Sequence, residues 1–269
     1  MGVHYDEDYH AAIITAGETS AATRWGWARE RILSYKSKGA ILDIGCSSGA
    51  FLGIMNDGSW KLHGIEMAAS SAEMARATTG AEIFVGDALD APFRPNSFDV
   101  ITCFDVLEHV YQPQEFLKKI LEWLKPGGIF YACLPNIDSW EARMLGTYWY
   151  GLELPRHLSH FSPRSLSHVM TALGFQEIFV RTTGISYLER SAGYVYCQLL
   201  QKLGFSPTPP SKVRPRNLAR RGVRKIMRLT LIEPFGRVAC WTGRGASLEA
   251  MFEKKTPFDR TGDAAGSVV

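Results

Sequence analysis

The feature that most constrains this chain is a short apolar run, Ala40 to Ile44. It breaks into Gly45-Cys46-Ser47-Ser48-Gly49 and resumes as Ala50 to Met55. Such a run, punctuated by glycine, reads as a strand, a sharp turn and a helix. Glycines let the backbone bend tightly and come close to a ligand. The helix behind them begins with N–H groups that have no partner inside the helix. In an open α/β sheet, ligands sit outside the carboxyl ends of the strands, near the switch in strand order. The turn at 45–49 is therefore expected to face a ligand.

Three chemistries compete for it. A dinucleotide fingerprint needs G-x-G-x-x-G, and position 47 is not glycine. A nucleophile elbow needs G-x-S-x-G, which the turn matches with Ser47 as nucleophile. In that hydrolase fold several strands precede the nucleophile. Here only roughly 40 residues precede it, and Trp25, Ala28, Ile32 and Tyr35 predict a helix over 19–37 instead. The third chemistry, binding of an adenosine without phosphates, uses more of the chain. Glu66 ends a second strand (61–66), where a carboxylate can accept both ribose hydroxyls. Asp87 follows a third strand (82–85), where it can accept from an adenine amino group. The turn carries no basic residue, as suits a ligand without phosphate.

The rest of the pattern alternates. Helices are expected over 70–78, with Ser70 or Ser71 as N-cap and Glu73 in the first turn, over 113–124, and from Pro163 to about 173. Strands are expected over 98–104, 129–134, 175–182 and 246–254, the last returning to the sheet edge. Alternation at this spacing means parallel βαβ units with right-handed crossovers. Lys125-Pro126-Gly127-Gly128 stops the helix before the fifth strand.

Six pieces in order now carry a resemblance: Leu42 to Gly49, Gly64-Ile65-Glu66, Gly86-Asp87-Ala88, Phe98 to Ile101, Asp105 to Val110 and Leu124 to Gly128. Over roughly residues 38–183 the chain resembles a class I S-adenosylmethionine-dependent methyltransferase. The Leu-Glu-His piece and residues 154–163 are similar to bacterial methyltransferases of the ubiquinone O-methyltransferase-like branch. The resemblance implies a Rossmann-like α/β fold: a seven-stranded, mostly parallel sheet with helices on both faces and a helical insertion before the last strand. It implies S-adenosyl-L-methionine as cofactor, with Glu66 on the ribose and Asp87 on the adenine amino group. Gly45 and Gly49 would line the methionine and ribose, flanked by Asp43, Cys46 and Ser47. Met67 and Ala88 stand beside the two acids, and the backbone near Cys103 and Phe104 would meet the methionine ammonium. Asp43 has a second reading, in which it merely orders the turn. Asp99 is expected to order the fourth strand. Ser47 departs from the glycine common at its position, a change expected to matter little if its φ is negative.

Methyl transfer from a sulfonium needs positioning first, and a base only where the acceptor must lose a proton. Candidate catalytic residues are His109, His157 and His160, with Glu108 beside the first. Each histidine can instead satisfy a local carbonyl or cap a helix. A Glu108/His109 pair holds a metal only with further ligands, so no metal is expected. The aromatic stretch from Trp140 to Tyr150 suits a wall over the acceptor or an ordinary packed connection. The five cysteines, Cys46, Cys103, Cys133, Cys197 and Cys240, form no C-x-x-C pair and read as reduced thiols.

Charge divides the chain. Lys202 to Arg244 holds eleven basic residues against Glu233 alone, a net +10 within a chain of net +3. The expected division is a methyltransferase domain (1–183 plus 244–256), a basic helical insertion (184–243) and a disordered tail (257–269). A basic helix near 218–232 has Val223, Ile226, Met227, Thr230 and Leu231 on one side and Arg221, Arg224, Lys225 and Arg228 on the other. That suits peripheral contact with an anionic membrane through 212–237, beside a small-molecule or lipid-linked acceptor; no nucleic acid is expected. The first 15 residues lack an apolar signal core and no apolar run approaches about 18 residues, so the expected location is cytoplasmic, membrane-peripheral at most. A cofactor-binding scaffold without turnover is the non-enzymatic alternative.

Overall fold

The computed structural model describes residues 21–184, 186–202 and 228–256. Its strands are β1 (Gly39–Ile44), β2 (Trp60–Glu66), β3 (Glu82–Val85), β4 (Phe98–Phe104), β5 (Leu124–Pro135), β6 (Phe175–Thr183) and β7 (Ser247–Lys254). They form one sheet in the order β3-β2-β1-β4-β5-β7-β6. The first five run parallel, and β7 pairs antiparallel with both β5 and β6. The order reverses between β1 and β4, so their carboxyl ends frame the crevice in which open α/β sheets bind ligands. The expected seven-stranded, mostly parallel sheet is observed.

The helices are α1 (Ala21–Leu33), α2 (Ala50–Met55), α3 (Ala69–Thr79), α4 (Pro113–Trp123), α5 (Trp140–Leu145), α6 (Pro163–Ala172), α7 (Leu188–Lys202) and α8 (Glu233–Trp241). Two buried clusters cover the faces of the sheet. One joins α4 and α6 to β4, β5 and β7 through Phe116, Ile120, Trp123, Leu166 and Phe252. The other joins α1, α2 and α3 to β1 and β2 through Ala28, Ile32, Phe51, Leu52 and Ala75. Both faces of a central strand are thus buried, as a parallel sheet requires.

Several expectations need correction. The last strand does not lie at the edge. β7 runs between β5 and β6, buried over Ser247–Phe252, while β6 is the half-exposed edge strand. An apolar run buried on both faces belongs inside a sheet, and Leu248, Ala250 and Phe252 are fully buried. Helix α1 stops at Leu33, short of residue 37. Helix α3 starts at Ala69 with Ala68 as a cap that contributes no side chain, so neither Ser70 nor Ser71 caps it and Glu73 lies beyond its first turn. The Glu66 carboxylate instead accepts the Ala68 N–H at 2.9 Å. Ser162 caps α6, in a reciprocal pair with Ser165. Asp99 orders β1 against β4 by accepting the Ala40 N–H and pairing with Lys125.

In the region of the proposed insertion, α7 runs from Leu188 to Lys202. Most of the expected basic helix falls outside the described residues. Its last turn, Arg228–Ile232, is wound as a π-helix and leads into α8, which the charge pattern did not suggest. The tail (257–269) also lies outside the described residues. No helix among the described residues is long and apolar enough to cross a membrane.

Candidate active site

The turn after β1 is held by its neighbour strand. The N–H groups of Gly45 and Cys46 both donate to the carbonyl of Ile65 on β2, at 2.8 and 3.1 Å. Gly45 has φ 74°, and a Cβ there would lie 2.4 Å from Cγ2 of Val106. Gly49 has φ 79°, and its Cβ would meet the backbone of Ala75 at 3.0 Å. Both glycines are therefore needed, for conformation and for close packing. Ser47 also sits in the left-handed region, at φ 49°, contrary to the benign case considered above.

Glu66, buried at the end of β2, reaches back to this turn. Its Oε2 accepts the Ser47 N–H at 2.8 Å and its Oε1 accepts Ala68. Asp43, buried beneath the turn, accepts the Thr102 hydroxyl at 2.6 Å. Burial pushes its carboxyl up to about 7; the Thr102 bond opposes this and the Glu66 charge adds to it. Asp43 thus ties the end of β1 to β4 beneath the turn. Asp87 accepts the Leu89 N–H and caps the short turn Ala88–Asp90, keeping its half-buried carboxylate at the end of β3. Met67 is exposed beside Glu66, whereas Ala88, Cys103 and Phe104 are buried. Burial raises the thiols of Cys46 and Cys103, which keeps them protonated. Trp25 of α1 stacks on Phe104 with ring centroids 4.9 Å apart, an aromatic cover that the sequence pattern did not single out.

The candidate acid–base residues gather on the segment after β4. Asp105 follows with φ 55°, then Val106 touching Gly45, then the short helical turn Leu107–His109. The loop 151–160 is laced onto this turn, because the Glu108 carbonyl accepts the N–H groups of both Leu158 and Ser159. His109 Nδ1 lies 3.0 Å from the Arg156 carbonyl, and His157 Nδ1 lies 2.7 Å from that of Gly151. A carbonyl only accepts, so each ring carries a proton on Nδ1; His109 then presents Nε2 as an acceptor when neutral, whereas Nε2 of His157 faces the Glu153 carboxylate at 3.3 Å. The two rings lie 4.6 Å apart in an edge-on arrangement. Burial lowers His109 to about 4, so that ring is neutral near pH 7. Burial also lowers His157, opposed by the Gly151 carbonyl and the Glu153 charge. His160 stands farther out, its Nε2 3.2 Å from the Leu152 carbonyl and its ring 6.4 Å from His157. It serves the loop, as one of its two readings proposed.

Two residues of this neighbourhood, Glu153 and Tyr187, were not singled out from sequence. Glu153 pairs with Arg156 and with His157 Nε2 at 3.3 Å; its spacing of four residues before His157 was the available signal. Tyr150 donates to Glu153 and stacks against Tyr187, whose position 37 residues later gave no local cue. Glu108 is buried, and its Oε2 has no hydrogen-bond partner among the described residues. Burial, then the Asp105 charge, raises its carboxyl well above the usual range. Glu108, His109 and His157 each place a donor atom within 4.8 Å of the others, so the adjacent pair gains the third ligand that sequence could not supply.

A family model described as a methyltransferase domain matches residues 20–178. The chain belongs to that family. Among curated relatives of this methyltransferase is the ubiquinone biosynthesis O-methyltransferase of Idiomarina loihiensis, 30% identical over 154 residues, covering 52% of this chain and 63% of that protein. The protein of the same name from Burkholderia thailandensis is 28% identical over 160 residues, covering 55% and 68%. A solved SAM-dependent methyltransferase from Archaeoglobus fulgidus shares the fold at TM-score 0.59 and 17% identity, covering 92% of this chain and all of that one.

S-adenosyl-L-methionine is the cofactor of this class, and the residues present fit it. The turn leaves no room for side chains at Gly45 and Gly49, and the two acids expected for ribose and adenine end adjacent strands. The hydrolase reading of Ser47 is overturned. The family match spans the turn, and no histidine among the described residues hydrogen-bonds the Ser47 hydroxyl.

Proposed function

We propose that this methyltransferase moves the cofactor's methyl group to a hydroxyl oxygen of a small or lipid-linked acceptor, and that the names of its relatives point to an aromatic hydroxyl of the kind made in ubiquinone biosynthesis. The observation that supports it is the pair of buried imidazoles whose rings meet at 4.6 Å, each with Nδ1 engaged by a backbone carbonyl. Glu66 and Asp87 hold the nucleoside of the cofactor, while the backbone at Cys103 and Phe104 faces its amino-acid end. When bound, the cofactor supplies a methyl group on sulfonium, already activated for in-line displacement. The remaining tasks fall to the protein. The walls of Tyr150 and Tyr187 orient the acceptor. His109 accepts the hydroxyl proton at Nε2 as the oxygen becomes nucleophilic. His157 stands against it, and Glu153 steadies the resulting positive charge. Residues 1–183 and 244–256 form the catalytic unit in this reading, and 184–243 its basic appendage, which makes peripheral contact with anionic membrane through 212–237.

The cluster of Glu108, His109 and His157 supports a second reading, in which a divalent cation binds there and acidifies the hydroxyl. One experiment separates the two. Candidate hydroxylated aromatics are incubated with enzyme and cofactor, and mass spectrometry follows the gain of one CH2 unit. Turnover that survives chelator and falls in His109→Gln supports the base. Turnover abolished by chelator and restored by magnesium or zinc supports the cation. No methylated product from any hydroxyl acceptor, with methylation of amines instead, overturns O-methylation.

A further inference from the structure

Helix α8 is amphipathic in an unusual sense, since part of its apolar surface faces away from the protein. Gly236 and Ala239 are buried, and a Cβ on Gly236 would meet the Gly184 carbonyl at 3.3 Å. Phe235 packs on Trp140 at 5.9 Å. These contacts fix which side of the helix looks outward: Pro234, Arg237, Val238 and Trp241 are exposed, at the spacing of a single helical face. Trp241 is 87% exposed and Val238 49%, and Leu231 on the preceding turn is 66% exposed. An ordinary surface helix turns such residues inward.

The sequence that leads into this helix selects what covers its outer face. Residues 203–227, which lead directly into it, contain seven Lys and Arg and no Asp or Glu. The nearby Arg228 and Arg244 are already paired, with Glu233 and Asp138. A second copy of the chain docking face to face would bring two such basic segments together. An anionic lipid surface accepts both features at once: the apolar residues enter the acyl boundary, and the basic ones meet the headgroups. Tryptophan in particular favours that interface, with its apolar ring and its polar N–H.

We infer that Leu231, Val238 and Trp241 form a membrane-insertion face, steered by the basic segment before it, which brings the methyltransferase onto an anionic bilayer. This deepens the proposed membrane contact and moves its apolar anchor from the basic helix to α8. It rests on that contact and is independent of the acceptor chemistry.

The test is co-sedimentation of the full chain with phosphatidylcholine vesicles and with vesicles containing phosphatidylglycerol. Calorimetric titration of S-adenosylhomocysteine into the same samples without lipid runs alongside. Wild type should bind the anionic vesicles, and bind them more weakly as salt rises. The double variant Val238→Ser/Trp241→Ser should lose about tenfold or more of that partitioning, since two exposed apolar groups no longer insert. Its affinity for S-adenosylhomocysteine should be unchanged. Brominated lipid should quench fluorescence in wild type but far less in Trp241→Phe, which keeps the anchor and removes the reporter. Equal partitioning of wild type and the double variant overturns the inference, as does quenching that persists in Trp241→Phe. Self-association that vanishes in the double variant, without vesicle binding, assigns the face to a second copy instead. Loss of nucleoside binding with normal vesicle binding would count against the methyltransferase reading and leave this one standing.

Discussion

The two halves of the proposed active site are built by different means. The cofactor half is made of backbone: a turn whose N–H groups are tied to Ile65 and Glu66, with residues 45, 47 and 49 all in the left-handed region. Its carboxylates end adjacent parallel strands, so the sheet itself sets their spacing. The acceptor half is made of side chains whose partners lie far away in sequence. His109 is oriented by Arg156, 47 residues later. The first arrangement suits one constant ligand, and its glycines at 45 and 49 leave no room for side chains. The second can be re-cut by altering a loop, as a site for a variable acceptor needs to be.

The comparison breaks first at the histidines. His109→Ala or His157→Ala should lower kcat by about 10²- to 10⁴-fold, the usual range for loss of a positioned acid–base group. S-adenosylhomocysteine affinity should stay within about threefold, because the hydrogen bonds that orient both rings come from the loop 151–160. Parallel loss of cofactor affinity and turnover would mean that the halves are one unit. Glu66→Ala should show the mirror image. The charged acceptor for the ribose disappears, along with the bonds to Ser47 and Ala68. Cofactor affinity should weaken by about 10²-fold, as expected when two charge-assisted hydrogen bonds are lost. Calorimetry reads this directly, and affinity retained within about threefold would remove Glu66 from the nucleoside site.

The same contrast explains what was readable in the sequence. The turn, Glu66 and Asp87 are local signals, each a residue type at the end of an apolar run, and the sheet aligned them as read. The placement of β7 was not readable that way. Its insertion between β5 and β6 depends on which strand is apolar on both faces, and Phe175 to Thr183 looked as strand-like as Ser247 to Lys254. His109 and His157 were both candidates, but their meeting required the loop carbonyls of Gly151 and Arg156. Tyr187, at the start of the proposed appendage, became visible as a wall only once it stacked on Tyr150. Long-range closure, which carries no local periodicity, is what the sequence concealed.

Acidity sharpens the comparison next. In the folded protein His109 falls to about 4 from an ordinary value of 6.5, because it is buried. Between those values the unfolded chain binds more protons, so its contribution to stability falls as pH drops from 6.5 toward 4. Asp43 runs oppositely: raised to about 7 from 3.8, it is destabilising as pH climbs through that interval. The two slopes offset each other, one from each half of the site. His109→Gln removes only its own slope. The stability difference between wild type and His109→Gln should therefore shrink by up to about 3 kcal/mol from pH 7 to pH 4.5, read by urea denaturation. A difference independent of pH would mean that the ring titrates normally and is not buried.

The smallest effect belongs to Ser47. Its φ of 49° places a side chain where glycine is favoured, and the hydroxyl bonds no histidine among the described residues. Its N–H, bonded to Glu66 at 2.8 Å, is what the site uses, and glycine supplies the same N–H. Relief of the left-handed strain contributes about 1 kcal/mol to the folded state, less the entropy that glycine adds to the unfolded chain. Ser47→Gly should thus shift stability by less than about 1 kcal/mol, toward greater stability. Methyl transfer and nucleoside affinity should be unchanged, measured by turnover and calorimetry on one preparation. Ser47→Ala should be equally active but gain no stability, because it keeps a Cβ in the strained conformation. If either variant lost activity more than about tenfold, the hydroxyl would be touching the cofactor, and the turn would read its ligand through a side chain as well as through backbone.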